Sequence, residues 1–167
     1  DDVSSWGIDA NKVYMYAGGF KPCYKNCGSP NGLLAVEITL SSSYWFAGLV
    51  LRFVDHQNYF FVWLRSDRNT IALYRRQNGA NSPELAEASV TFVGGSTYLF
   101  TASLSGNTLA PSINGVTIQA TDSAFNTSLL HGLNDYNGTA SGFGCRFNNF
   151  TFDDGQGGGG GGGLNAL

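Results

Sequence analysis

Charge is what this sequence lacks most. Charged residues make up 13% of it, about half the usual share. Acidic residues outnumber basic ones, 12 to 9, for a net charge of −3. A nucleic-acid partner is therefore not expected, because phosphate backbones call for a basic field. Long apolar runs are missing as well. No stretch reaches the roughly 18 unbroken apolar residues of a membrane helix, so no span is expected. No segment sustains an apolar period near 3.6, which leaves little room for helix. Cysteine and histidine are scarce, at 3 and 2 residues. The CxxxC pair Cys23 and Cys27 has no second pair and no nearby histidine, a poor zinc pattern. No secretory leader is visible, since the chain opens on the acidic pair Asp1-Asp2. We read it as a mature or excised piece of a secreted product, extracellular or on a virion surface.

What is present suits short strands joined by many turns. Apolar residues reach 43%, aromatics 14%, and there are 23 glycines in 167 residues. That is room for one domain with one sizeable core. Strand-like runs recur from Trp6 to Asp153 with turn signals between them, the pattern of a sandwich or barrel. Asn114-Gly115 between two β-rich runs reads as a two-residue hairpin loop, where both residues tolerate positive φ. Asn78-Gly79 and Ser105-Gly106-Asn107 mark further reversals. The expected domain covers residues 1–154. Residues 155–167 form a glycine-rich tail, read as a flexible tether or as a packed polyglycine layer.

Cys23 and Cys27 lie in a Gly/Pro-containing loop, where a disulfide would staple a small loop in an oxidising compartment. Cys145 sits in an apolar strand pattern and is expected as a buried thiol. Asn126, Asn137 and Asn149 each begin an Asn-x-Ser/Thr triplet that permits glycosylation.

The segment from Gly48 to Arg76 sorts into two faces by strand alternation. With Asp55–Asn58 taken as a four-residue turn, Val54 falls opposite Tyr59 and Arg52 opposite Phe61. Leu49, Leu51, Phe53, Phe60, Val62, Leu64, Ile71 and Leu73 then share a purely apolar core face. The other face collects Val50, Arg52, Tyr59, Phe61, Trp63, Arg65, Tyr74 and Arg76, with no carboxylate in the strands themselves. Aromatic rings stack on the apolar faces of sugars, and arginine supplies planar, directed donors. Arg52, Tyr59, Trp63, Arg65, Tyr74 and Arg76 are therefore the candidate ligand-binding residues. The competing readings are that a loop or the tail covers these rings, or that a register slip exchanges the faces.

The run AGLVLRFVDHQNYFFVWL, Ala47 to Leu64, resembles the core hairpin of concanavalin A-like sandwiches. It is most similar to laminin-G-like modules and to 3-keto-disaccharide hydrolase-type domains. Trp6-Gly7-Ile8-Asp9 resembles the opening strand of that group, and GFGCRFNNFTFD, Gly142 to Asp153, its closing strand. The resemblance implies an all-β, two-sheet antiparallel jelly roll, often with glycans on the concave face and a structural calcium ion. Asp153 and Asp154 are the best carboxylates for such an ion, with Asp9 and Asp122 weaker. A solvated acidic strand end is the competing reading. The paired carboxylates of glycosidases on this scaffold are not evident here. Glu37, Glu84, Glu87 and Asp67 fall at strand edges or in turns. His56 and His131 read as a turn and a loop residue without an evident Asp or Ser partner.

Three functions are carried forward. The first is a non-catalytic glycan-binding module. The second is a structural or adhesive subunit of an extracellular filament, virion or tail fibre. It would contact neighbouring copies through the same face and the tail. The third is a sugar hydrolase.

Overall fold

The computed structural model describes the backbone of residues 6–9 and 12–15, and backbone and side chains of residues 22–41, 46–136 and 145–156. In chain order its strands are β1 (Trp6–Asp9), β2 (Lys12–Met15), β3 (Cys23–Asn26), β4 (Gly32–Thr39), β5 (Phe46–Asp55), β6 (Asn58–Arg65), β7 (Thr70–Gln77) and β8 (Ala80–Asn81). They continue as β9 (Ala86–Ser89), β10 (Thr97–Ser105), β11 (Thr108–Ile113), β12 (Val116–Thr117), β13 (Ala120–Thr121), β14 (Leu130–Tyr136) and β15 (Arg146–Asp153). No helix occurs among the described residues. One antiparallel sheet has the order β1-β2-β15-β4-β10-β11-β12, with β13 also on β11. The other runs β3-β14-β5-β6-β7-β8, with β9 also on β7. This is the expected all-β, two-sheet sandwich.

Alternation builds the core. Leu34, Val36 and Ile38 of β4 and Phe100, Ala102 and Leu104 of β10 point inward from the first sheet. They meet Leu49, Leu51, Phe60, Val62, Leu64, Ile71 and Leu73 from the second, all wholly buried as expected. The reversals follow their turn chemistry. Ile113 pairs with Val116 across Asn114-Gly115, whose φ values of 49° and 78° are those of a primed hairpin turn.

Two sequence expectations need correction. The β5–β6 turn is the two residues His56-Gln57, because Asp55 pairs with Asn58. The next pair is Leu51 with Phe60, so Arg52, Phe53 and Val54 stand against Tyr59 alone. This is a bulge that shifts the register by an even number. Residues 46–51 therefore keep their expected faces, although their partners differ. Within the bulge, Arg52 adopts φ 50° and turns to the interior, while Phe53 crosses to the outer face.

The second correction concerns Cys23 and Cys27, which are free thiols. The stretch expected as a loop is the extended strand β3, and four residues of extended chain span about 13 Å. A disulfide needs Cα atoms within about 7 Å. Both side chains instead pack on the core, where burial pushes each thiol up to about 11. Cys145 is a buried free thiol, as expected.

Candidate functional site

The outer face of the second sheet is best followed in rows set by strand pairing. One row reads Tyr136, Phe46, Arg65, Thr70, and the next Asn134, Gly48, Trp63, Ala72. Then come Gly132, Val50, Phe61, Tyr74, and beyond them Tyr59, Arg76 and Asn81. Gly48 and Ala72 flank Trp63 with almost no side chain, so the indole rises from a trough. Gly48 has a backbone reason as well, since a Cβ there would meet the Val62 carbonyl oxygen at 1.7 Å.

The trough opens into two adjoining pockets of about 300 Å³ and about 340 Å³ that share Phe61, Trp63, Asn81 and Tyr136. The first adds Phe46, Arg65 and Tyr74; the second adds His56, Tyr59 and Arg76. The rings meet edge to face, with Trp63 at 5.4 Å from Phe46, 5.9 Å from Phe61 and 6.4 Å from Tyr136. Phe61 and Tyr74 stack in parallel at 5.0 Å.

Of the expected ligand-binding residues, five stand together here and one does not. Trp63, Arg65 and Arg76 are half-buried, and Tyr74 and Tyr59 form the floor, at 8% and 2% exposure. The rings of this face are thus largely covered, forming a second, smaller apolar cluster with Val50, Phe53 and Ala72. Burial pushes the Tyr59 phenol well up, so it stays neutral. Arg52 is the exception, since the bulge takes it to the end of the sandwich. There, wholly buried, it donates to the carbonyls of Pro30 and Gly106 and to Asn31 Oδ1. It is a clamp between the sheets.

Sequence reading missed the carboxylates that reach this face from turns. Arg65 donates to both oxygens of Asp67, at 3.1 and 2.8 Å, and lies over the Phe46 ring at 5.2 Å. It also donates to the Tyr74 hydroxyl at 3.2 Å, which in turn donates to Glu84 Oε1 at 3.0 Å. Glu84 faces Arg68 at 3.5 Å. The hydrogen bond from Arg65 holds Asp67 below the ordinary carboxylate range. Glu84 is lowered too, first by a backbone N–H and then by Tyr74. At the other end, Arg76 donates to the His56 carbonyl at 3.1 Å and to Asn81 Oδ1 at 2.8 Å. Phe46, Tyr136 and Asn81 were also missed; only a correct register brings them to Trp63.

Two buried titratable groups lie away from the cleft. His131, expected in a loop, is inside β14 and stacks on Phe152 at 5.0 Å. Its Nδ1 accepts the Arg52 backbone N–H at 3.2 Å, and Nε2 faces the Ser29 carbonyl at 3.2 Å. Burial pushes it down to about 4. Asp135, 1% exposed, lies on the core side of β14 near Cys145. Burial pushes its carboxyl up to about 8, against the backbone N–H groups of Tyr136 and Cys145.

Asp153 and Asp154 are exposed, and each accepts the backbone N–H two residues on, from Gly155 and Gln156. Asp122 pairs with Arg75. No cluster of three or more His, Cys, Asp or Glu forms among the described residues. Asn126 and Asn149 are exposed; Asn137 and residues 157–167 of the tail lie outside the described residues.

No protein-family model matches the sequence, and no curated protein matches it. Solved structures do share its fold. The carbohydrate-binding module CBM66 from Bacillus subtilis aligns with a TM-score of 0.66 and 16% identity, over 89% of this chain and 90% of that one. CG-16, a homodimeric agglutinin from chicken liver, aligns at 0.64 and 11% identity, over 80% and 100%. The GH43 protein BlXynB (K247S mutant) from Bacillus licheniformis aligns at 0.66 and 16%, over 87% of this chain and 34% of its own. At such identities the likeness is one of fold alone, a two-sheet antiparallel β-sandwich.

Proposed function

We propose that this domain binds glycans, without catalysis, in the Trp63 cleft on the outer face of the second sheet. The observation that carries the reading is the aromatic trough around Trp63, with an arginine at each end and the Asn81 amide lining both pockets. Rings in such a trough match the apolar faces of sugar rings, and fixed planar donors match their hydroxyl groups. That a carbohydrate-binding module and an agglutinin are built on the same sandwich supports the choice of ligand class. An extracellular setting belongs to the same proposal, now without a disulfide to support it.

Hydrolysis is the weaker reading. A glycosidase acid is held protonated near neutral pH. The cleft carboxylates Asp67 and Glu84 are both lowered instead. The one raised carboxyl among the described residues, Asp135, is on the core side of the sheet.

Glycan-array screening followed by calorimetry on the best binder tests the proposal. Trp63→Ala should weaken binding by about 2 kcal/mol, roughly 30-fold, as for other aromatic anchors. Trp63→Phe, which keeps a ring, should lose less. An unchanged affinity in a folded Trp63→Ala variant would remove the cleft from the binding site. Concentration-dependent self-association that Trp63→Ala abolishes would favour a subunit contact over a glycan.

A further inference from the structure

The two ends of the cleft differ in charge. At the first, Arg65 and Arg68 are matched by Asp67, Glu84 and Glu87, two cations against three carboxylates. Nothing there calls for an anion. At the second, Arg76 meets no carboxylate among the described residues. Its described partners, the His56 carbonyl and Asn81 Oδ1, are both neutral oxygens. They use one N–H on Nε and one on Nη1, and leave the remaining guanidinium donors unspent. Asn81 turns its oxygen toward Arg76, so its Nδ2 is a further donor on the same pocket. Asp55, in the neighbouring turn, stays ionised but turns its oxygens to the Gln57 N–H and the Asn58 amide.

The second pocket therefore presents donors around a guanidinium that has no ion-pair partner among the described residues, beside the aromatic trough. Neutral hydroxyl groups, which both donate and accept, do not use such a set fully. An anionic oxyanion, which only accepts, does. The anchors of Arg76 also fix its guanidinium plane in advance, which suits bidentate contact.

From this we infer that the cleft selects acidic glycans, with a sugar ring against Trp63 and its carboxylate or sulfate group on Arg76 and Asn81. The inference rests on the glycan-binding reading and adds the ligand's charge to it.

The test uses three oligosaccharides of one backbone in calorimetry: a hexuronate form, its carboxyl-reduced neutral form, and a sulfated neutral form. The hexuronate or the sulfated form should bind at least tenfold more tightly than the neutral one, with an affinity that falls as salt rises. Whichever anionic form binds better names the source of the charge. Arg76→Gln should erase that preference, bringing the anionic forms down to the affinity of the neutral one, and Arg76→Lys should retain part of it. Equal, Trp63-dependent binding of all three forms would overturn the acidic preference and leave the glycan site standing. Absence of binding by any of them, and by any neutral glycan, would overturn both. Thermal melting of each variant separates lost binding from lost folding.

Discussion

Single residues in this domain are placed by what their side chains can reach, and Arg52 is the clearest case. A non-glycine residue at positive φ costs roughly 1–2 kcal/mol, and Arg52 has φ 50°. The guanidinium offsets that cost through its bonds to Pro30, Asn31 and Gly106. The cysteines show the same logic with the opposite chemistry. Cys23 lies in the core and Cys27 packs on it, so each acts as a small apolar side chain instead of half of a bridge. Thiol counting under denaturing conditions, without reductant, should find three reactive thiols per chain. In the native state all three should react slowly, because burial raises every one of them and the thiolate is the reactive form. A count of one would restore the disulfide.

Among elements, legibility in the sequence followed length and periodicity. The β6–β7 hairpin pairs Arg65 with Thr70 as alternation predicts, because eight-residue strands reveal their buried face. Strand β3 escaped notice. Its four residues, Cys23–Asn26, are too few to show a period, and the strand exists because β14 offers it an edge. The bulge at Arg52–Val54 was invisible for another reason. Its cause is tertiary, a set of acceptors on the loops of the facing sheet. Of the site, the Trp63, Arg65, Tyr74 and Arg76 face was readable because an even register error preserves faces. The Asp67 and Glu84 partners were not, because turns, unlike strands, carry no alternation to place them. The β3–β14 contact yields a test at this scale. A Cβ on Gly132 would sit 1.9 Å from the Cys23 carbonyl oxygen, so Gly132→Ala must push β3 away. Chemical denaturation should show a loss of about 2–4 kcal/mol, the range of steric strain in a packed element. A loss below about 0.5 kcal/mol, the scale of an ordinary surface change, would mean that β3 does not pair there.

For the whole molecule, two buried groups on one strand set opposite pH dependences, and their sum is a distinctive profile. His131 is held down to about 4, against an ordinary 6.5. Between these values the unfolded chain binds the extra proton, so this histidine makes stability rise with pH. Asp135 is held up to about 8, against an ordinary 3.8. Between those values the folded chain binds the extra proton, so this carboxyl makes stability fall as pH rises. From about pH 4.5 to 6.5 the two slopes, each about 1.4 kcal/mol per pH unit, cancel. Above about 6.5 the histidine no longer contributes, and Asp135 alone lowers stability by about 2 kcal/mol before levelling off near pH 8. The lowered carboxylates Asp55, Asp67 and Glu84 titrate below this window, and the buried thiols above it. Urea denaturation at half-unit steps from pH 4.5 to 8.5 reads the profile directly. The wild type should be flat and then fall. Asp135→Asn should rise to about pH 6.5 and then stay level, more stable than the wild type at pH 8. His131→Asn, whatever its absolute loss, should fall across the whole range. A wild-type curve that stays level from 6.5 to 8, with the same shape in Asp135→Asn, would mean that this carboxyl is ionised in the folded protein.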